Sequence, residues 1–264
     1  MRTTTACTLS LFTSLLLTAA CGGGGGQTGG TSRPAPASTP APPAAGAPAA
    51  AAGNGAITGR VLFEGQAPAQ ERIQMDADAV CQKAHTTPVY SDVVTVNDNG
   101  TLRDVFVYVK AGVQGSHPTP AETLTFDQRG CHYTPHVMGV MAGQQLKILN
   151  SDETLHNVHA LPANSAQFNI AMPKFLKEKV VSFQNPEVMV RVKCEVHPWM
   201  GAWIGVLDHP FYGVSDGTGA FSLKGLPAGT YTIEAWHEKF GQQTQEVTLA
   251  ADETKDIGFT FKAN

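Results

Sequence analysis

Apolar and polar residues alternate in short runs along most of this chain, the two-residue period of strands half-buried in a sheet. Residues 57–63 alternate and stop at the turn signal Glu64-Gly65. Residues 93–96 and 105–109 flank Asn97-Asp98-Asn99-Gly100 and predict two strands joined by a tight hairpin. Residues 124–127, 137–141, 145–149, 188–192 and 203–207 continue the strand pattern. From 214 onward the rhythm changes. Runs at 221–223, 230–235, 246–249 and 256–261 are separated by Gly-, Pro- and Asp-rich turns and predict a small sandwich. Residues 76–85, with Ala77, Ala79 and Ala84, predict one short helical turn. The folded part is therefore expected to be all-β.

The beginning of the chain reads differently. Met1 to Ala20 carries one Arg, an apolar run from Leu9 to Leu17 and then small residues, which predicts a secretory signal too short to be a transmembrane helix. Leu17-Thr18-Ala19-Ala20-Cys21-Gly22 resembles a bacterial lipobox, with Thr18 where Leu is usual. That resemblance implies Cys21 as a lipid attachment site and a membrane anchor. Residues 21–55 are mostly Gly, Ala, Pro, Ser and Thr and predict a disordered tether. The head is then expected on the periplasmic side of a bacterial membrane, and Gly22 favours the outer membrane or cell surface. Net charge is −4, charged residues make up 15% of the chain and no basic run occurs, so nucleic acid is excluded as a partner.

The candidate chemistry sits in Val192-Lys193-Cys194-Glu195-Val196-His197-Pro198-Trp199-Met200-Gly201. It places a thiol, an imidazole and a thioether within seven residues, in a loop that leaves a predicted strand. A thiolate and a thioether select copper, whereas hard cations want oxygen and structural zinc sites rarely use Met. A second imidazole would complete a set of two His, one Cys and a weak Met, and Leu155-His156-Asn157-Val158-His159 supplies it. With Cys194 assigned to metal, Cys81 and Cys131 remain in an oxidising compartment and are expected to form a disulfide. The rival reading is a separate soft-metal site, since His85 follows Cys81 and His132 and His136 follow Cys131.

Residues 140–206 resemble a cupredoxin of the amicyanin and plastocyanin group. The likeness rests on Asn150, Leu155-His156-Asn157-Val158-His159 and Cys194-Glu195-Val196-His197-Pro198-Trp199-Met200. It implies one copper held by His156, Cys194 and His197 with Met200 axial, and an Asn157 backbone hydrogen bond toward the Cys194 sulfur. His159 aligns with a non-ligand His. It further implies that the edge of His197 reaches the surface as an electron port, with Met138, Met141, Trp199 and Trp203 as a candidate apolar patch around it. Residues 214–261 resemble the carboxypeptidase regulatory-like domain, a transthyretin-like and carbohydrate-binding-like sandwich, through Ser215-Asp216-Gly217-Thr218-Gly219-Ala220-Phe221 and Gly225-Leu226-Pro227-Ala228-Gly229-Thr230-Tyr231. Such a domain opens with a Gly-x-Val strand that is missing before Val214, and Gly59-Arg60-Val61 would fit the gap.

The expected architecture is two Greek-key-type β-sandwiches, interleaved. A signal peptide at 1–20 and the linker at 21–55 precede N-terminal strands at 56–112 that complete the C-terminal sandwich. A cupredoxin at 113–208 is inserted before the regulatory-like domain at 209–264. Paired catalytic carboxylates, a phosphate loop and a nucleophile elbow are all missing, so no enzyme is expected. The expected role is electron transfer to and from redox-protein partners. The alternatives are a carbohydrate- or protein-binding module with a structural metal, and a copper carrier.

Overall fold

The computed structural model describes residues 53–263; the signal segment, Cys21 and nearly all of the linker lie outside the described residues. In chain order the elements are β1 (Gly55–Glu64), α1 (Ala79–Lys83), β2 (Phe106–Ala111), β3 (Leu124–Arg129), β4 (His132–Thr134), β5 (Val137–Met141), β6 (Leu146–Asn150) and β7 (His156–Leu161). There follow β8 (Phe168–Met172), β9 (Glu178–Val181), β10 (Glu187–Lys193), β11 (Gly201–Leu207), β12 (Tyr212–Val214), β13 (Ala220–Leu226), β14 (Gly229–His237), β15 (Gly241–Leu249) and β16 (Thr254–Lys262). Among the described residues no helix is long and apolar enough to cross a membrane.

The strands form four sheets that pack as two sandwiches. The smaller has a three-stranded sheet, β13-β1-β16, and a four-stranded sheet, β12-β2-β14-β15. β1 runs antiparallel to β13, with Gly59 opposite Phe221, and parallel to β16, with Val61 opposite Phe259. The strand missing before Val214 is thus supplied from the other end of the chain. Its alternation buries Ile57, Val61 and Phe63 against Phe221, Leu223, Tyr231 and Phe259. Gly59 is required by close approach: a Cβ there would lie 1.8 Å from the Ile257 carbonyl oxygen.

The larger sandwich is inserted between β2 and β12. Its sheets are β5-β11-β10-β7-β8 and β4-β3-β6-β9. Phe126, Val140, Ile148, Val158, Val190, Val192 and Ile204 fill the space between them. A third cluster joins the two sandwiches. Phe106 of β2 and Tyr212 of β12 lie against Gly139 and Gly205, which sit opposite each other in the parallel pair β5–β11. Phe106 has no solvent exposure, and burying a ring of that size contributes about 1.5–3 kcal/mol.

Two expectations fail. Residues 93–96 form no strand; Val96 makes a single bridge to Leu102. The second arm of that turn is spent on β1, where Leu102 donates to the Val61 carbonyl and Phe63 donates to the Gly100 carbonyl beyond the end of β13. Nor do all of residues 56–112 belong to the smaller sandwich. Ile73, Met75, Cys81 and Val89 pack on the larger core, so this segment, closed by a backbone hydrogen bond from Ile73 to Val89, forms a cap over one end of it.

Candidate metal centre

The cap covers the end of the larger sandwich where the predicted ligands meet. β10 and β11 form a hairpin with Lys193 opposite Gly201, so residues 194–200 are its closing loop. The Cys194 amide donates to the Met200 carbonyl at 3.2 Å, and the Met200 amide donates to the His197 carbonyl at 2.9 Å. The His197 amide points to the Cys194 sulfur at 3.4 Å, folding the imidazole back over the thiol. β7 flanks β10, with His159 opposite Lys193, and this register carries His156 to the same end.

Nδ1 of His156 lies 2.9 Å from Nδ1 of His197, and the Cys194 Sγ lies 3.9 Å from the latter. All three ligand atoms fall within 4.8 Å of one another, and all three residues are buried. Each outer ring nitrogen is held by a carboxylate. His156 Nε2 is 2.9 Å from Asp152 Oδ2, and His197 Nε2 is 3.2 Å from Asp78 Oδ2. A carboxylate accepts only, so it fixes the proton on Nε2 and leaves the Nδ1 lone pairs aimed inward. Two such lone pairs beside a thiolate repel unless a cation, a shared proton or a metal ion, stands between them. This donor set fits a soft metal ion.

The electrostatics point the same way. Burial raises the Cys194 thiol, but hydrogen bonds from His156 and His197 and from the backbone of Asn157 and His197 outweigh it and bring the thiol to about 5. Burial lowers His156, yet Asp152 and Cys194 hold it up at about 9. The thiol is thus poised as a thiolate, the form that binds metal. Burial raises the Asp78 carboxyl, but donors from Thr154, Cys81, Val80 and His197 hold it near 2.

Met200 is buried in the same cluster as Cys194. The Asn157 side chain accepts from the Glu195 amide at 2.6 Å and meets the Cys194 sulfur at 3.4 Å, which fixes the start of the loop. His159 points away and pairs with Glu195 at 2.6 Å. Cys81 and Cys131 are joined in a disulfide, so their sulfurs are not available as separate metal ligands. His85 bonds the Gly130 carbonyl, His132 faces Asp92, and His136 bonds Glu238 and the Gly201 carbonyl. Cys21 lies outside the described residues.

The expected solvent-facing edge of His197 is not there. The residue is only 2% exposed, because Asp78 and Cys81 of the cap sit on Nε2 and the Trp199 ring lies tilted beside the imidazole, 5.0 Å between centroids. Met138 and Met141 are core residues and form no surface patch. Asp152 and Asp78 are the functional residues missed in the sequence. Asp152, four residues before His156, is close enough to have been suspected. Asp78 is reached only through Cys81, three residues on, and its disulfide to Cys131.

A family model for the carboxypeptidase regulatory-like domain matches residues 198–262, starting one residue after His197. A search of curated protein sequences returned no match. Among solved structures, a copper-containing nitrite reductase from Thermus scotoductus SA-01 is 18% identical with a TM-score of 0.30; the match covers 39% of this chain and 25% of that one. The chain thus spans a quarter of the length of that protein. A purple cupredoxin from Nitrosopumilus maritimus is 17% identical over 31% of this chain and 98% of its own, with a TM-score of 0.27. A copper(I) amicyanin variant is 17% identical over 38% and 97%, with a TM-score of 0.29.

Proposed function

We propose that this is a type 1 copper protein that passes single electrons between redox-protein partners in the cell envelope, tethered through Cys21 and the linker. The observation that carries the reading is the convergence of His156 Nδ1, His197 Nδ1 and a buried Cys194 Sγ within 4.8 Å, with both outer imidazole nitrogens already committed to carboxylates. His156, Cys194 and His197 would hold the metal, with the buried Met200 as a weak fourth ligand. Bound copper would supply the Cu(I)/Cu(II) couple. The chain's part is to keep the donors still: strands β7 and β10 set the backbone, the carboxylates set the ring planes, and Asn157 sets the turn into the loop. Trp199 and Met200 keep water out. Since His197 is covered, electrons would cross at the exposed rim beside the ligands, where Val196 and Leu155 are each 44% exposed. The reading predicts no enzymatic turnover of its own.

The test is the visible spectrum of the protein loaded with Cu(II), beside a Cys194→Ser variant. An intense band near the red end, lost in the variant, is the expected result. A colourless wild-type protein would reject the reading and favour a Cu(I) carrier. A second reading, a carbohydrate- or protein-binding module, is favoured by the family match at 198–262 and by a cavity of about 400 Å³ lined by His117, Phe211, Pro227 and Tyr231 in the smaller sandwich. Metal-independent glycan binding would support it.

A further inference from the structure

Asp78 stands 119 positions from His197 in sequence and belongs to neither ligand segment. Its two oxygens do different work. Oδ1 caps α1, accepting from the Val80 amide at 2.7 Å and the Cys81 amide at 3.2 Å. Oδ2 accepts from Thr154 Oγ1 at 2.8 Å and lies 3.2 Å from His197 Nε2. The helix that Asp78 caps is stapled by the Cys81–Cys131 disulfide, and Cys81 Sγ itself lies 3.6 Å from the same Nε2. On the other side of the staple, the amides of Gly130 and Cys131 each donate at 2.8 Å to Asp152, the partner of His156. One covalent link therefore ties the helix that Asp78 caps to the amides that hold Asp152.

We infer that Asp78 is a positioning residue of the metal centre: carried on a disulfide-stapled cap, it fixes the His197 ring, shuts it off from solvent and biases the centre toward its oxidised state. The inference rests on the copper reading above. A fixed negative charge one imidazole away favours whichever state carries more positive charge, and in a buried site this attraction is weakly screened. A carboxylate on the far nitrogen also makes the imidazole a better donor, and losing such a partner costs about 10- to 100-fold in metal affinity. Covering Nε2 leaves His197 no direct contact with a docked protein.

The test compares the copper-loaded full chain with Asp78→Asn and Thr154→Val, reading the visible spectrum, the midpoint potential and the copper affinity by chelator competition. Asn keeps a cap acceptor for α1 but drops the charge. The expected result is a retained absorption band, a raised midpoint and an affinity loss of about 10- to 100-fold. Thr154→Val removes a competing donor while leaving the charge, and should move the midpoint the other way by less. Opposite signs separate an electrostatic role from a merely structural one. A coloured wild type with an unchanged midpoint in Asp78→Asn, or shifts of the same sign in both variants, would overturn the role of Asp78 alone. A wild type without the band would overturn the copper reading itself. If Asp78→Asn does not fold, the direction of the Thr154→Val shift still decides the matter.

Discussion

The two sandwiches solve the problem of buried polarity in different ways. In the smaller one, buried Ser215, His209 and His237 serve the backbone, and buried Glu234 pairs with Tyr108 and Lys110. Ser215 joins the Val105 amide to the Leu102 carbonyl, and His209 bonds the Val109 carbonyl. In the larger one, buried His156 and His197 face each other and a thiol, each backed by a carboxylate. Such a cluster contributes no apolar packing and carries inward-facing donors that repel one another without a cation. Stability must come from elsewhere, and the disulfide and cap lie over that cluster. The smaller sandwich has no disulfide among the described residues. The contrast teaches that the cap secures the site as well as covering it.

The sharpest way to break this contrast is to remove the staple. The two cysteines are 50 residues apart, and a loop of that length is worth about 4 kcal/mol by chain entropy. A Cys81→Ser, Cys131→Ser protein should lose stability on that scale. Hydrogen exchange should show the loss in β7 and β10, with β14 and β15 protected nearly as before. Equal loss in both sandwiches would show that they unfold as one unit and that the staple is not local to the site.

A smaller effect is expected where the sandwiches meet. A Cβ on Gly205 would lie 2.4 Å from Phe106, and one on Gly139 would lie 2.3 Å from Tyr212. Gly205→Val should therefore cost about 1–3 kcal/mol by overpacking. Because the clash lies at the seam, both sandwiches should weaken together in a thermal melt. Destabilisation of one alone would show that the seam does not couple them.

What could be read in advance follows the same division. The ligand loop was legible because its chemistry is local: Cys194, His197 and Met200 lie within seven residues, and hairpin closure forces them together. The missing Gly-x-Val strand was legible through the resemblance to a domain that opens with one, and Gly59-Arg60-Val61 fits the gap. Residues 93–96 misled because strand propensity says nothing about which sheet edge is open, and Gly100–Leu102 reached the end of β1 instead. The covered edge of His197 was not legible at all. It depends on where a 50-residue disulfide places one aspartate, and no periodicity encodes that.

The finest difference between the sandwiches lies in two histidines near their junction, and it predicts opposite responses to pH. Burial would lower His136, but its hydrogen bond and attraction to Glu238 raise it above its usual 6.5. Its contribution to stability is then complete below about 6.5 and is lost as pH rises through the raised folded value. His237, in the smaller sandwich, stacks on Phe240, and burial depresses it from 6.5 to about 4. The unfolded chain takes up that proton first, so stability falls as pH drops from 6.5 toward 4. Between these limbs the pair favours a maximum near the ordinary imidazole range. Urea midpoints measured across pH should show a shallower alkaline limb in His136→Gln and an unchanged acid one, with His156 and His209 keeping their own contributions. His237→Phe should do the reverse. If His136→Gln left the alkaline limb unchanged, the His136–Glu238 pair would carry no net stability, and the seam would rest on its apolar cluster and the Trp203–Glu238 hydrogen bond.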